Sequence, residues 1–412
     1  MKKMFCIGYK CTLCGKEFPY NGKMLTCPEC GEKGILDIQF DYQGIKSALT
    51  REKLAANKNF SMFRYAPLLP LRNTDFGRYL RVGYTPLYKA NLIHSELGLD
   101  SVYIKDDGHN PTGSLKDRAS AVAVAHAIEN GYTTIACSST GNAASSCAGN
   151  AARMGIKSVI FVPQRAPEGK LAQLLVYGAK VVSVAGDYRA TFELSRDAIA
   201  KYGWYNRNAG INPVMTEGKK TVALEIAEQL DWNVTDWVAV SVGDGCTVGG
   251  IYNGFRDLKE IGLIDRVPKI LGVQSLGCCP FVTAATGDGK LVPAEENTLA
   301  DSIAVGIPRN PVKALRAIRE SHGAWIAVSD NDILEGMKLL GRTEGVFSEP
   351  AAASVTAGVK QAVQDGIIKK SESVTIISTG SGLKDVKNAL KAVTRPVPCE
   401  PTIEALEASG IL

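Results

Sequence analysis

The stretch NPTGSLKDRAS at residues 110–120 decides the fold, because it places one lysine between a turn and a helix. The preceding run SVYIK, residues 101–105, is β-branched and apolar, and the Ala- and Val-rich run that follows is typical of a helix. Lys116 is therefore predicted near a helix N-terminus, where the helix dipole disfavours an ammonium ion and helps keep the amine nucleophilic. Such a lysine can form a Schiff base, although by itself this pattern is also that of an ordinary surface lysine.

From about residue 80 onward, short apolar runs alternate with helical patterns, which predicts an α/β fold with largely parallel sheets. The strand-like runs are apolar throughout, so we expect both faces of the sheets to be buried. The predicted strands lie at 101–105, 133–139, 158–163, 180–186, 237–243, 269–274 and 373–379. The predicted helices lie at 117–130, 142–154, 168–178, 187–202, 219–230, 249–262, 311–320, 330–344 and 350–365.

Length and composition limit the classes of protein. A chain of 412 residues is long enough for two or three domains, and its 45% hydrophobic content is that of a globular protein. The net charge of +5 is not concentrated in any basic run, so nucleic acid is not an expected partner. We find no apolar run long enough for a membrane span and no convincing signal peptide. Eleven cysteines, several inside apolar runs, favour a reducing cytoplasm.

Residues 1–40 are predicted to form a separate unit around four cysteines. Cys11, Cys14, Cys27 and Cys30 follow a C-x2-C pattern, a spacer of twelve residues and a second C-x2-C pattern. Four thiolates suit tetrahedral Zn²⁺ and leave no position open for catalysis, so the pattern predicts a structural zinc ribbon. The alternative is a ribbon that folds without metal.

Two further loops resemble anion-binding sites. SSTGNAASS at 138–146 ends a predicted strand and opens a helix with small residues, an arrangement that can bind a carboxylate or a phosphate but also fits a plain helix cap. SVGDGCTVGG at 241–250 follows another strand, and its glycines allow the backbone to wrap an anion. Its spacing fits neither the ATP-type phosphate loop nor the dinucleotide fingerprint.

With these loops the chain resembles the fold type II pyridoxal-phosphate (PLP) enzymes, which are similar to the tryptophan synthase β-subunit, and among them the threonine synthases. The resemblance extends along most of the chain. It is carried by the four-cysteine unit and by GYTPLYKA (83–90), NPTGSLKDRAS (110–120), SSTGNAASS (138–146), GKLAQLLVYGAKVV (169–182), INPVMTEGKKT (211–221), VGDGCT (242–247), GVFSEPAAAS (345–354) and STGSGLKD (378–385).

The resemblance implies two three-layer α/β domains behind the ribbon. A large PLP-binding domain would comprise residues 41–121 and 211–395, and a small domain residues 122–210, with a C-terminal arm at 396–412. The implied reaction is that of a carbon–oxygen lyase, which converts O-phospho-L-homoserine and water to L-threonine and phosphate. The resemblance admits a homodimer, but no feature of the sequence specifies one.

The resemblance also implies roles for individual residues. Lys116 would hold the cofactor covalently and shuttle protons, Asn142 would contact the ring 3′ oxygen, and Thr379 would hydrogen-bond the ring nitrogen. Glu349 would lie near the ring, and Tyr84 would contact the substrate. The cofactor phosphate would be bound by Gly243, Asp244, Gly245, Cys246 and Thr247, and the substrate carboxylate by Ser139, Thr140 and Gly141.

Several positions depart from the threonine synthase pattern where the substrate is expected. Val82 and Tyr84 precede TPL, Met215 takes the place of an arginine, and Ser381 takes the place of a histidine. Asp244 intrudes into the phosphate loop, where we expect it to face solvent or a backbone donor. The cations that we consider as substitutes are Lys219, Lys220, Arg309 and Arg165.

These departures keep two other functions open. The first is a related PLP enzyme with another substrate: an ammonia-lyase acting on threonine, serine or diaminopropionate, or a β-replacement enzyme acting on O-phosphoserine, such as a cysteate synthase. The second is a binding or regulatory protein that kept only the fold.

Overall fold

The structure is a computed structural model that describes residues 4–73, 75–164, 168–186 and 188–411. The strands are β1 Cys6–Cys11, β2 Glu17–Pro19, β3 Leu36–Phe40, β4 Leu87–Lys89, β5 Val102–Asp106, β6 Thr134–Ser138, β7 Lys157–Pro163, β8 Lys180–Val184, β9 Tyr205–Asn206, β10 Trp237–Ser241, β11 Lys269–Ser275, β12 Ala324–Val328 and β13 Val374–Ser378. The α-helices are α1 Tyr42–Ala48, α2 Arg51–Ala55, α3 Ile93–Glu96, α4 Lys116–Glu129, α5 Asn142–Met154, α6 Glu168–Val176, α7 Tyr188–Tyr202, α8 Val214–Lys219, α9 Thr221–Gln229, α10 Cys246–Glu260, α11 Pro280–Thr286, α12 Pro311–Glu320, α13 Asp330–Glu344, α14 Pro350–Gln364, α15 Val386–Ala389 and α16 Ile403–Ala408.

The larger sheet has the strand order β12-β11-β10-β13-β5-β4 and is parallel except for β4, which pairs antiparallel with β5. Every residue of β10 and β13 is buried. Alternate residues of β10 enter two different cores: Val238 and Val240 pack with the helices α4 and α8–α10, whereas Trp237 and Ala239 pack with α13 and α14. Helices therefore cover both faces of this sheet, which makes it the middle of three layers.

The smaller sheet is entirely parallel, with the strand order β8-β7-β6-β9. Ile135 of β6 packs in the same core as residues of α4, α5 and α6, while the next residue, Ala136, packs with Ile199 of α7. This sheet is therefore also the middle of three layers. The sequence prediction of two α/β units with largely parallel sheets is confirmed.

The four-cysteine ribbon is an antiparallel sheet in the order β2-β1-β3, and it packs against the α/β body. The Tyr20 hydroxyl lies 3.1 Å from Nε2 of His126, at the end of α4. Lys313 Nζ donates to the Leu36 carbonyl at 2.7 Å, and Arg316 Nη1 pairs with Asp37 Oδ2 at 2.6 Å. Strand β3 is therefore connected to α12 by buried and half-buried charges.

The elements missed from the sequence are short or have ambiguous patterns. Strands β4, β9 and β12 were not predicted, and neither were the strands of the ribbon. The helix predicted at 219–230 corresponds to α9, the preceding helix α8 was not predicted, and α10 begins at Cys246 rather than at 249. Among the described residues, no helix has the length and apolar character needed to span a membrane.

Candidate active site

The candidate active site lies where three neighbouring parallel strands end. Strands β10, β13 and β5 are adjacent in the larger sheet, so the loops that follow them meet at its carboxyl edge. These loops carry the glycine-rich turn at 243–247, Thr379 and Lys116. The Leu115 N–H donates to the Thr379 carbonyl at 2.9 Å, and the Thr379 hydroxyl lies 3.5 Å from that of Ser241. The topology therefore brings together groups that are more than a hundred residues apart in the sequence.

Lys116 is the first residue of α4, as the turn chemistry of NPTGS predicts. Asp117 fixes the turn, because its carboxylate accepts hydrogen bonds from the Thr112 N–H at 2.8 Å and from the amide of Asn150 at 2.9 Å. Burial, followed by the positive charge of Lys219, lowers the pKa of Lys116 to about 8, while the carboxylate of Glu349 opposes the shift. A larger fraction of neutral, nucleophilic amine is therefore available near neutral pH than on an exposed lysine.

A buried ionic network holds α4 in position. Arg118, the second residue after Lys116, is fully buried and pairs with Asp107 through Nε at 2.6 Å. Its Nη1 pairs with Glu225 of α9 at 2.6 Å, and Lys105 of β5 pairs with the same carboxylate at 2.8 Å. Because removing one partner would leave a buried charge unpaired, the network fixes the orientation of the helix mouth that carries Lys116.

The glycine-rich turn forms a cup of backbone donors at the N-terminus of α10. The backbone N–H groups of residues 243–248 donate to no acceptor in the part of the chain that the structure describes. Gly245 adopts a φ of 90°, and a Cβ there would lie 2.6 Å from the carbonyl oxygen of Asn310. Unpaired donors together with the positive end of a helix dipole are the arrangement that binds phosphate.

The carboxylate of Asp244 is directed to donors outside the cup. Its carboxylate accepts the Arg309 N–H at 2.8 Å and the side-chain amide of Asn310 at 2.9 Å. The expectation that Asp244 faces a backbone donor therefore agrees with the structure. The carboxylate connects the segment around residue 310 to the cup and accepts hydrogen bonds from donors outside it.

Asn142 is the first residue of α5, and it faces Glu349 across the cleft. Its Nδ2 donates to the two carboxylate oxygens of Glu349 at 3.0 and 2.9 Å. Glu349 is buried at the start of α14, and desolvation raises its pKa, while Asn142 and the charge of Lys116 oppose the shift. This places Glu349 between the predicted cofactor lysine and the predicted ring-contacting amide.

One hydrogen bond aligns the two helices that carry Lys116 and Asn142. Ser120 lies four residues after Lys116 and Ser146 four residues after Asn142, so each serine shares a helix face with the functional residue one turn before it. The two hydroxyls lie 2.7 Å apart. The functional faces of α4 and α5 are therefore turned towards each other.

The loop before α5 offers free donors, but not from every residue predicted to bind the substrate carboxylate. Thr140, Gly141 and Asn142 line the cleft. The N–H groups of Thr140 and Asn142 have no acceptor among the described residues. The Ser139 N–H is used within the sheet, where it donates to the Phe161 carbonyl at 3.1 Å, and the Gly141 N–H donates to the Ser139 hydroxyl at 3.2 Å. The N–H groups of Thr140 and Asn142 are thus better placed to bind a carboxylate than those of Ser139 and Gly141.

Tyr84 packs away from this cluster. It has a positive φ of 50°, its ring lies 5.2 Å from that of Phe60, and the guanidinium of Arg64 lies 4.7 Å from its ring centre. Its ring contacts in the described chain run to these two residues rather than to those around Lys116. A packing role, which the sequence left open, is thereby favoured over contact with the substrate.

The cations considered as substitutes for the missing arginine and histidine differ in their surroundings. Lys220 is fixed between Glu217 at 2.5 Å and Asp257 at 2.7 Å. The guanidinium of Arg309 lies 3.5 Å from the ring centre of Phe192. Arg165 lies outside the described residues. Lys219 is buried on α8, forms no ion pair with a described residue and is close enough to Lys116 to lower its pKa.

Sequence reasoning missed two cations beside the cleft. Lys384, in the STGSGLKD motif, donates to the Thr112 carbonyl at 3.1 Å, the Ser145 hydroxyl at 2.9 Å and Gln173 Oε1 at 2.6 Å. It thereby connects the lysine loop to α5 and α6. Arg207, directly after β9, is 2% exposed and donates from Nε to Ser120 Oγ at 3.0 Å. No motif marks Arg207, because β9 is too short to be recognised in the sequence.

The four cysteines of the ribbon converge as their spacing predicts. The sulfurs of Cys11, Cys14, Cys27 and Cys30 all lie within 4.8 Å of one another, and those of Cys14 and Cys27 are 3.8 Å apart. Tetrahedral Zn–S bonds of about 2.3 Å require sulfurs about 3.8 Å apart, so the donor set fits the ion. A Cβ on Gly34 would lie 2.6 Å from the Cβ atoms of Cys27 and Cys30, so this position has room only for glycine.

Comparison with known proteins shows the family to which the chain belongs. Residues 79–380 match the family model described as pyridoxal-phosphate dependent enzyme. The chain is 40% identical over 401 residues to the threonine synthase of Methanocaldococcus jannaschii, an alignment that covers 97% of this chain and 98% of the relative. It is 39% identical over 400 residues to the threonine synthase of Methanosarcina acetivorans, with 96% and 97% covered.

Solved structures show the same fold at low sequence identity. Diaminopropionate ammonia lyase from Escherichia coli superposes with a TM-score of 0.67 at 20% identity and covers 82% of this chain and 93% of its own. Threonine deaminase isoform 2 from Solanum lycopersicum gives a TM-score of 0.63 at 21% identity, with 75% and 87% covered. The chain therefore belongs to the pyridoxal-phosphate-dependent enzymes and, within them, to the threonine synthase family.

Proposed function

We propose that this chain converts O-phospho-L-homoserine and water to L-threonine and phosphate, with PLP attached to Lys116. The observation that carries the proposal is the arrangement of Lys116 at the mouth of α4, with a pKa lowered to about 8, beside a phosphate-binding cup whose N–H groups are unpaired. Relatives named threonine synthase match almost the whole chain, which supports the choice of reaction.

The residues present fit the cofactor. The N–H groups of 243–248 would bind its phosphate, Asn142 its ring oxygen, and the Thr379 hydroxyl its ring nitrogen. A neutral hydroxyl does not hold that nitrogen protonated as a carboxylate would. When bound, the cofactor stores the electron pair released at the substrate α-carbon. This arrangement suits elimination and replacement at the β and γ carbons.

The protein's own groups would bind the substrate and move its protons. The free N–H groups of Thr140 and Asn142 would hold the α-carboxylate at the N-terminus of α5. The neutral amine of Lys116 would remove the α proton once the substrate is in place, and then return a proton. Glu349 is buried beside Asn142, and desolvation raises its pKa above that of an exposed carboxyl group. The buried walls of the cleft would keep water out until the phosphate has left.

A second candidate is the same cofactor chemistry on another substrate. Met215 is fully buried at the position where an arginine is expected, and Ser381 caps a short turn by accepting the Leu383 N–H at 3.3 Å. Neither residue supplies a cation for a substrate phosphate. This observation favours an ammonia-lyase or a β-replacement enzyme acting on O-phosphoserine as the alternative.

We further propose one structural zinc ion in the ribbon, a cytoplasmic location and a homodimer. The convergent sulfurs support the ion, and the eleven cysteines, all free in the described chain, support a reducing compartment. Size-exclusion chromatography with light scattering tests the dimer. The boundaries of the large domain, 41–121 and 211–395, and of the small domain, 122–210, are supported by the membership of the two sheets.

The proposed reaction is tested by offering O-phospho-L-homoserine, O-phospho-L-serine, L-threonine and L-serine separately to the PLP-loaded protein, with products identified by mass spectrometry. Threonine and phosphate from the first substrate are the expected result. Turnover confined to O-phosphoserine or to the unphosphorylated amino acids would select the second candidate. In Lys116→Ala, the characteristic absorbance of the lysine-bound cofactor should be lost; an unchanged spectrum would exclude Lys116 as the attachment site.

A further inference from the structure

Arg207 is a buried arginine without a counter-ion. Its side chain is 2% exposed, and its Nη2 atom finds no acceptor in the described part of the chain. Its Nε donates to the neutral hydroxyl of Ser120, and no carboxylate among the described residues pairs with it. The nearby groups from β6 and α5 include the buried thiols of Cys137 and Cys147. A buried, unpaired guanidinium destabilises the ligand-free protein, so its presence points to an anionic ligand.

Arg207 lies at the edge of the smaller sheet that faces the cleft. It directly follows β9, which runs parallel to β6, and its N–H donates to the Ala136 carbonyl of β6 at 2.9 Å. The carboxyl end of β6 leads into the loop at 138–142, whose free N–H groups are proposed to bind the substrate carboxylate. Ser120, which receives the Arg207 Nε hydrogen, lies one turn after Lys116 on the same face of α4. The guanidinium is also close enough to Lys116 for its charge to lower the pKa of that lysine.

A second unpartnered donor lies beside Arg207. The side-chain oxygen of Asn208 accepts the Ser138 N–H at 3.0 Å, whereas its Nδ2 finds no acceptor among the described residues. Asn208 is 6% exposed. Adjacent guanidinium and amide donors at the end of one strand suit a tetrahedral oxyanion such as a phosphate monoester.

The cofactor phosphate already has its own donors elsewhere. The cup at 243–248 is formed by the loop after β10 in the larger sheet. Lys219 packs against this side: a Cβ on Gly250, one turn after Cys246 in α10, would lie 3.2 Å from the Cβ of Lys219. Arg207 belongs instead to the smaller sheet, together with the loop for the substrate carboxylate.

We propose that Arg207 is the cation that binds the phosphate group of the substrate, in place of the arginine and the histidine that this chain lacks at Met215 and Ser381. The proposal rests on the function proposed above, insofar as that function requires a phosphorylated substrate. It makes Arg207 a specificity-determining residue: it selects amino acids with a phosphate ester over their unphosphorylated homologues.

The test compares a phosphorylated with an unphosphorylated ligand in the absence of turnover. The dissociation constants of O-phospho-L-homoserine and L-homoserine are measured by calorimetry on PLP-loaded Lys116→Ala, with and without Arg207→Gln. Loss of a charge-assisted phosphate contact should weaken the binding of O-phospho-L-homoserine on the order of 10- to 100-fold and leave the binding of L-homoserine unchanged. The matched control is Arg266→Gln, because Arg266 is an exposed arginine that pairs with Asp236, directly before β10.

A second arm separates the two phosphates. The affinity of the otherwise native apoprotein for PLP should be the same with and without Arg207→Gln. A tenfold loss would assign Arg207 to the cofactor phosphate and overturn the proposal, as would equal weakening of both homoserine ligands. The thermal unfolding temperature of the ligand-free variant should not fall, because an unpaired buried charge is removed. If Arg207→Gln does not fold, Arg207→Lys, which keeps the charge but loses the planar fork, should still weaken only the phosphorylated ligand.

The outcomes keep this inference separate from the proposed function. If the native holoenzyme makes threonine and Arg207→Gln binds O-phospho-L-homoserine normally, the inference alone fails. If no threonine is made but Arg207→Gln weakens the binding of O-phospho-L-serine relative to L-serine, the reaction assignment fails and the role of Arg207 stands. If the native holoenzyme makes no threonine and its site does not prefer phosphorylated ligands, both fail.

Discussion

The neutral amine of Lys116 is the quantity on which cofactor attachment depends, and the structure fixes how much of it is present. A lysine with the ordinary pKa of 10.5 is neutral in about 0.03% of molecules at pH 7. With a pKa of about 8, the neutral fraction is about 9%. The structure therefore supplies roughly 300 times more neutral amine at pH 7 than an exposed lysine would have.

The predicted pH dependence follows from the direction of this shift. The amine is protonated below its pKa, so the rate of covalent attachment of PLP to the apoprotein should rise with pH and level off above about 8. Stopped-flow absorbance between pH 6.5 and 10.5 measures the midpoint. The same measurement on Nα-acetyl-lysine, which keeps its side-chain amine, corrects for the titration of PLP itself.

Lys219→Gln tests the cause of the shift. After burial, the charge of Lys219 is the largest contribution to the lowered pKa of Lys116, so its removal should move the midpoint upward, towards 10.5. Midpoints are compared rather than absolute rates, because Lys219 also lies beside the cup. Lys259→Gln, an exposed lysine at the other end of α10, should leave the midpoint unchanged. A wild-type midpoint near 10.5, or equal effects of the two variants, would refute the reasoning.

Three further changes have defined outcomes. Gly245→Ala should weaken the binding of PLP about tenfold or more, because a φ of 90° costs a non-glycine residue about 1–2 kcal/mol and its Cβ would clash with Asn310. An unchanged affinity for PLP in a fluorescence titration would contradict the role of the cup. Metal analysis should find about one zinc per chain and none in Cys14→Ser, whereas an intact ribbon without zinc would show metal-free folding. Burial lowers the pKa of His126 to about 4, so stability should be lost as pH falls below about 6.5, by roughly 2–3 kcal/mol at pH 4.5. Urea unfolding should show this loss in the wild type and in His109→Gln, an exposed control, but not in His126→Gln, and equal slopes would contradict it.

The sequence predicts the parts of the site that depend on local chemistry. Turn residues before a helical pattern place Lys116, a glycine-rich turn after an apolar strand places the cup, and paired cysteines place the ribbon sulfurs. The bounds of the long helices follow to within about three residues, because amphipathic and apolar patterns over ten or more residues leave little choice. Helix α8, Val214–Lys219, was missed because six residues that directly follow a proline are too few to show a helical period.

What the sequence does not predict depends on contacts between distant segments. Arg207 follows a two-residue strand whose pairing with β6 is determined by the whole sheet, so nothing local marks it as buried. Tyr84 illustrates the opposite case. A tyrosine before TPL suggests contact with the substrate, but its ring packs on Phe60 and Arg64, which only the three-dimensional structure reveals.

The most direct test of the central claim is to supply O-phospho-L-homoserine to the PLP-loaded protein in water enriched in oxygen-18. Elimination breaks the bond between the γ carbon and oxygen, and water then adds at the β carbon. The account therefore predicts threonine with oxygen-18 in its hydroxyl group and phosphate without the label. Homoserine together with labelled phosphate would reveal simple ester hydrolysis at phosphorus and would contradict the account.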